Sequence, residues 1–192
     1  MKTTLSIEGT WRLRAADGKK TVPCPIPGDN YSALQDAGRI PDPYWRDNER
    51  KVQWVADTDW IFSRSFDVPA SLLAHEAVFL SFDSIDTVAE VFVNGTDCGI
   101  VWCAPWYAKV PAAALRKGTN MLEVRVTNTW RNRLIGDCLL PPEKRLTKSC
   151  LQYKDGPLNN ARGEVSFSNR ASGYSANDSL ISCGLYGPVE LR

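Results

Sequence analysis

Carboxylates and amides set among aromatic rings are the residues in this chain whose types and spacing could do chemistry. Between Gly38 and Trp60 (GRIPDPYWRDNERKVQWVADTDW), Tyr44, Trp45, Trp54 and Trp60 are interleaved with Asp42, Asp47, Asn48, Glu49, Gln53, Asp57 and Asp59. Flat apolar ring faces rimmed by hydrogen-bonding groups complement a sugar, which shows C–H groups on its faces and hydroxyls at its edge. Asp42, Tyr44, Trp45, Asn48 and Glu49 are the candidate ligand-binding groups of this stretch. Trp54 and Trp60 lie on or beside an expected strand and read as core. The competing assignment is an aromatic plug at one end of a β-sandwich, or a contact between domains.

A second polar-aromatic cluster follows Thr129: Trp130, Arg131, Asn132, Arg133 and Asp137. Guanidinium forks and an amide beside an indole can hold a glycan. The same residues can instead form a buried Arg–Asp pair that pins a long loop to the sandwich. Both assignments stand on the sequence alone.

Catalysis by this chain has thinner support. Glycoside hydrolysis takes two carboxyl groups about 5–10 Å apart across a cleft, and acids in a polar loop mostly cap turns or face water. His75 is the sole histidine and sits in an expected turn, so no Ser/His/Asp set forms around it. No glycine-rich phosphate loop is present. The six cysteines, Cys24, Cys98, Cys103, Cys138, Cys150 and Cys183, include no C-x-x-C pair, which argues against zinc. They read as free, small buried hydrophobes, with Cys98 and Cys103 as the one pair close enough to bridge. No cofactor is expected. A structural calcium ion is a further possibility for a jelly roll, but the acids lack the spacing of a recognisable calcium loop.

The elements that must position these groups are strands. LSIEGTWRLR alternates after Leu5. Asp59–Phe66, Glu76–Phe82, Thr87–Val93, Trp106–Val110, Asn120–Val126 and Pro188–Leu191 follow, with Asn94-Gly95 as a hairpin turn. A helix capped by Asp29 or Asn30 and stopped at Gly38 leads into the aromatic loop. TVPCPIPGD, with three prolines in five residues, is expected to be an extended connection outside any regular ladder. Residues 131–175 are rich in breakers and read as one long loop, of a kind that is more often functional than neutral. Short strands with no βα alternation give an all-β fold: an antiparallel β-sandwich of jelly-roll type with one short helix, as a single domain over 1–192.

Length and composition agree with that assignment. One hundred and ninety-two residues with 43% hydrophobic and 23% charged content suit one globular domain with a real core. A net charge of +1 without basic or acidic blocks gives no sign of nucleic acid or a charged membrane surface as partner. No run approaches the roughly 18 apolar residues of a membrane span. The N-terminus, MKTTLSIEGTW, has no apolar run and does not read as a signal peptide. The expectation is a cytoplasmic protein, or a domain excised from an exported enzyme.

VPCPIPGDNYSALQDAGRIPDPYWRDNERKVQWVADTDWIFSRSFDV, SFDSIDTVAEVFVNGTDCG and LRKGTNMLEVRV fall in the order of a known module. They resemble the N-terminal sugar-binding jelly roll of β-mannosidase-like family 2 glycoside hydrolases. TNTWRNRLIGDCLLPPEKR and SCGLYGPVELR look more like the galactose-binding-type domains of rhamnosidase-type glycoside hydrolases. The resemblance covers Trp11 to Arg192 and implies a galactose-binding-like sandwich. It also implies that the catalytic glutamates belong to a separate (β/α)₈ barrel of about 250 residues, for which this chain has no room. The function implied is a non-catalytic carbohydrate-binding module. The alternatives are a structural or assembly module that meets a (β/α)₈ catalytic domain or a second copy of itself, and a stand-alone glycosidase.

Overall fold

Apolar side chains at every second position give a strand one core face and one wet face. Along Gly118–Thr127 this places Asn120, Leu122, Val124 and Val126 inside and their neighbours outside. The structure, a computed structural model, describes residues 4–43, 45–46, 48–127, 130–141, 180 and 183–192. For residues 49, 130, 131, 133, 134 and 137 it describes the backbone alone. The chain divides into two units: Met1–Ile40, Thr58–Asn128 and Ser182–Arg192 form the first, and Pro41–Asp57 with Thr129–Ile181 the second.

The first unit is the sandwich. Its strands in chain order are β1 (Leu5–Ser6), β2 (Gly9–Ala15), β3 (Val22–Ile26), β4 (Gly28–Asp29), β5 (Trp60–Val68), β6 (Val78–Phe82), β7 (Ile85–Asp86), β8 (Val88–Val93), β9 (Thr96–Val101), β10 (Tyr107–Val110), β11 (Gly118–Thr127), β12 (Gly184–Leu185) and β13 (Val189–Leu191). Among the described residues they form a six-stranded sheet ordered β3-β2-β5-β11-β8-β9 and a four-stranded sheet ordered β1-β13-β6-β10. A small third sheet is ordered β4-β12-β7. Every pairing is antiparallel, including the nine-residue register of β5 on β11 from Gly118↔Val68 to Val126↔Trp60. Trp11, Leu13, Phe62, Val91, Leu122 and Val124 of the larger sheet are buried, as are Leu80, Val189 and Leu191 of the smaller. The fold is the all-β antiparallel sandwich that the strand pattern indicated.

Local signals explain the turns. Asn94 (φ 51°) and Gly95 (φ 80°) both take the left-handed conformation that a tight β8–β9 hairpin demands. Helix α1 (Asn30–Asp36) is capped by Asp29, whose carboxylate accepts from Ser32 N at 2.9 Å. It ends at Gly38 (φ 63°), where Gly38 N donates to Gln35 O and Arg39 N to Leu34 O, the paired bonds of a Schellman stop.

Two expectations about this architecture are corrected. The proline-rich segment does join a ladder: β3 pairs with β2 through Trp11↔Cys24 and Arg12↔Pro23. It succeeds because β3 is the terminal strand of its sheet and its exposed prolines alternate with buried Val22, Cys24 and Ile26. A missing N–H is tolerable on an edge. The helix count also rises. Besides α1, the structure has the short α2 (Asn48–Lys51), α3 (Ala70–Leu73), where the sequence itself indicates a helical turn over Ala70–Ala74, and α4 (Trp130–Leu139), the last inside a stretch expected to be loop. Residues 142–175, the remainder of that expected loop, lie outside the described residues.

Candidate functional site

The second unit carries every site residue singled out from the sequence. Its first segment is built as two successive turns. Trp45 N donates to Asp42 O at 3.2 Å and Asn48 N to Trp45 O at 3.2 Å, with Arg46 between them in the left-handed region (φ 57°). Helix α2 follows, then a 3₁₀ turn over Gln53–Val55. Val52, Val55 and Ala56 are fully buried and anchor the segment. The loop is therefore held at both ends while its tip stays outside.

Trp45 is that tip. It is 61% exposed, and the Arg46 guanidinium lies 5.7 Å from its ring centroid. Such a cation–π contact at an exposed site is worth about 0.5–1 kcal/mol and orients the indole without burying it. Asp42, three residues earlier, is exposed, and its backbone carbonyl takes the bonds that shape the loop.

Asn48 was expected to face a ligand, and the structure turns it inward. It is 8% exposed, its Nδ2 donates to Asp42 O at 2.9 Å, and its Oδ1 accepts from Lys51 Nζ at 3.0 Å. A short amide at the start of α2 satisfies loop backbone more readily than it reaches solvent, so Asn48 braces the loop that presents Trp45. Tyr44 lies outside the described residues, as does Asp47, and Glu49 is placed only as backbone of α2.

The second cluster divides in the same way. Trp130, Arg131, Arg133 and Asp137 are placed only as backbone of α4. Asn132 is fully buried and presents no surface amide. Its carbonyl accepts from Gln53 Nε2 at 2.6 Å. Gly136, one turn on, leaves room for this: a Cβ there would sit 2.3 Å from Gln53 Nε2. Gln53 is a positioning residue that sequence reasoning passed over as one amide among many. Its signal was a glutamine within reach of a helical glycine, which only the fold makes visible.

Trp54, expected in the core, is 45% exposed, because the 3₁₀ turn replaces the strand assumed for it and breaks the alternation that would have turned it inward. Trp60 opens β5 and is buried as expected. Asp59, just before β5, is ion-paired with Arg125 of β11 at 3.4 Å. Among the described residues no group of three or more His, Cys, Asp or Glu side chains is placed to hold a metal ion. Nor is any described helix long and apolar enough to cross a membrane.

The described cysteines are free thiols, including Cys98 and Cys103, so the one bridge considered does not form; Cys150 lies outside the described residues. Burial, and then the nearby Asp29 carboxylate, push the Cys24 thiol up to about 12. Burial also raises Cys98, with Asp97 adding to it, against a bond from the Val93 backbone that lowers it. Thiolate is the reactive form. With iodoacetamide on the folded protein at mildly alkaline pH, exposed Cys103 should be alkylated first. Cys24 and Cys183 should label only after denaturation, as read by peptide mass mapping. Because folding raises the Cys24 pKa, its contribution to stability is intact below its ordinary value of 9.0 and is lost as pH climbs toward about 12.

Comparison with known proteins places these features in context. The family described as "Glycosyl hydrolase 2 galactose-binding domain-like" matches residues 11–138. The chain is 37% identical to a β-mannosidase of Mus musculus over 94 residues, covering 49% of this chain and 11% of that protein. Among solved structures, the β-D-mannosidase of Dictyoglomus thermophilum superposes with a TM-score of 0.67 at 27% identity, over 100% of this chain and 22% of that one. The rhamnosidase of Novosphingobium sp. PP1Y superposes with a TM-score of 0.57 at 25% identity, over 100% and 15%. The chain thus spans about a tenth of the length of the curated relatives it matches. Both halves of the resemblance read from the sequence, to β-mannosidases and to rhamnosidases, are met.

Proposed function

The chain belongs to the glycosyl hydrolase 2 galactose-binding domain-like family, and from that premise we propose that it acts as a non-catalytic carbohydrate-binding module. It works as one module over residues 1–192, and the acid and nucleophile of glycoside hydrolysis are supplied by a (β/α)₈ catalytic domain outside them. The observation that carries this reading is Trp45: a large ring 61% exposed at the tip of a loop anchored by buried Val52 and Val55. An indole held in place loses little entropy when a sugar stacks on it. Asp42 supplies a polar rim beside it, and Tyr44 and Glu49 complete the set.

Titration calorimetry against mannosides, rhamnosides and galactosides tests the reading. Trp45→Ala should abolish measurable heat with the cognate glycan while shifting the melting temperature by no more than a degree or two, since an exposed ring contributes about 0.5 kcal/mol or less to folding. Absence of heat with every glycan in the native protein defeats the proposal.

A second reading, an assembly module, is favoured by a different observation. Ile100, Trp102 and Tyr107 are 63%, 64% and 53% exposed on and between β9 and β10, the terminal strands of the two larger sheets. Apolar side chains at unpaired edges suit a protein contact, with a second copy or with a catalytic domain. A concentration-dependent mass in analytical ultracentrifugation, lost in Trp102→Glu, is the result that would favour self-association.

A further inference from the structure

Asn94-Gly95 is the only Asn-Gly step in the chain. A glycine after asparagine leaves the next backbone nitrogen unshielded by any Cβ, and that nitrogen is a nucleophile for the asparagine carboxamide. Gly95 is exposed at the tip of the β8–β9 hairpin, and the space around it is open: a Cβ built there meets nothing within 4 Å. Sequence and surface therefore both favour loss of the Asn94 amide.

The fold holds the carboxamide away from that nitrogen. Asn94 Nδ2 donates to Ala114 O and to Asn120 Oδ1, each at 2.8 Å, and Asn94 Oδ1 accepts from Met121 N at 2.9 Å. Its backbone N–H donates to Met121 O at 2.8 Å. Asn120, which receives one of these bonds, is 1% exposed and is itself tied to Arg116 O and Gly118 O. To reach Gly95 N, the Asn94 carboxamide carbon must swing off three partners and leave each of them short of a bond. The turn, with φ at 51° for Asn94 and 80° for Gly95, also fixes the backbone on which a ring would have to close.

We propose that Asn94 is a site of spontaneous deamidation gated by opening of the β8–β9 hairpin, and that the product keeps the hairpin from re-forming its native bonds. In the open state the Gly95 nitrogen bonds to Asn94 Cγ and gives up its proton, while the Cγ–Nδ2 bond breaks and the amide nitrogen leaves as ammonia. Water then adds to one of the two carbonyls of the five-membered imide. That carbonyl's C–N bond breaks, which gives aspartate or isoaspartate. No oxidant, metal or enzyme enters, only solvent water. Aspartate at 94 has no N–H for Ala114 O or Asn120 Oδ1 and sets a charged oxygen against them. Isoaspartate adds a carbon to the main chain inside a two-residue turn that has no room in its register for one. A molecule that has opened and reacted is thus marked, and is less stable than one that has not. The site uses residues of the first unit only and is independent of any glycan.

The experiment incubates the whole chain in mildly alkaline buffer across a urea series and reads aspartate and isoaspartate at position 94 by peptide mass mapping. The native chain should deamidate at least about tenfold more slowly than the chain in unfolding urea, since only the open fraction reacts. At sub-denaturing urea the rate should rise in parallel with hydrogen exchange of the Met121 amide, the N–H that Asn94 Oδ1 holds. Asn120→Ala leaves Asn94 half-satisfied and should speed the reaction about tenfold or more without urea. Asn94→Asp, the product made directly, should melt a few degrees below the native chain. Equal rates in native and unfolded chains, a rate that does not follow Met121 exchange, an unaccelerated Asn120→Ala, or an Asn94→Asp chain as stable as the native one would each overturn the assignment.

Discussion

Trp11→Ala should destabilise the sandwich by about 3–5 kcal/mol, the range for deleting a buried tryptophan side chain. Trp11 is 1% exposed in the middle of β2, and its indole Nε1 donates to Ile7 O at 2.9 Å. The substitution removes the largest fully buried side chain of the first unit and leaves the Ile7 carbonyl without that donor. For a chain of this size each kcal/mol moves the melting temperature by about 2–4 °C, so a fall of roughly 6–20 °C is expected in a circular-dichroism melt. Trp11→Phe keeps most of the volume but not the N–H, and should lose about 1–2 kcal/mol. If the two variants melt together, the hydrogen bond rather than the packing dominates. If Trp11→Ala melts within 2 °C of the native chain, the core described for β2 is wrong.

Asn120→Ala should cost about 2–4 kcal/mol, although it removes only a small polar side chain. Asn120 is 1% exposed, and its amide is used on all sides. Nδ2 donates to Arg116 O at 2.8 Å and Gly118 O at 2.7 Å, while Oδ1 accepts from Arg116 N at 3.0 Å and Asn94 Nδ2 at 2.8 Å. Asn94 in turn donates to Ala114 O at 2.8 Å and accepts from Met121 N at 2.9 Å. One pair of amides thus ties the β8–β9 hairpin to the connection that enters β11. Alanine at position 120 strands one donor and two carbonyls and leaves Asn94 half-satisfied. Asn120→Asp should be at least as damaging, since it turns two donors into acceptors aimed at carbonyls and buries a charge. Urea unfolding with an unchanged m-value and a lowered midpoint is the expected signature.

The contrast between these two positions and Trp45 organises the molecule. Two tryptophans in one chain have opposite expected effects: removing Trp11 unfolds, removing Trp45 only silences. Residue type does not separate them. What separates them is whether the backbone around the ring is in a ladder, where alternation forces it inward, or in a turn, where the neighbours at Asn48 and Val52 take up the burial instead.

The sequence alone determined the sandwich, because strand alternation, the Asn94-Gly95 turn and the Asp29 and Gly38 helix stops are local signals acting over a few residues. It also carried the two-family resemblance and marked the aromatic loop. It misjudged β3 and Trp54, and it did not show that Asn48 and Asn132 are buried. β3 pairs because of its edge position beside β2, Trp54 sits on a 3₁₀ turn in place of a strand, Asn48 is taken up by Asp42 and Lys51 close by, and a Gln53 side chain reaches over Gly136 to the Asn132 carbonyl, 79 residues away. Tertiary structure decided which polar groups are spent on the backbone and which remain for a ligand, because a hydrogen bond is allotted by geometry, and composition does not contain geometry.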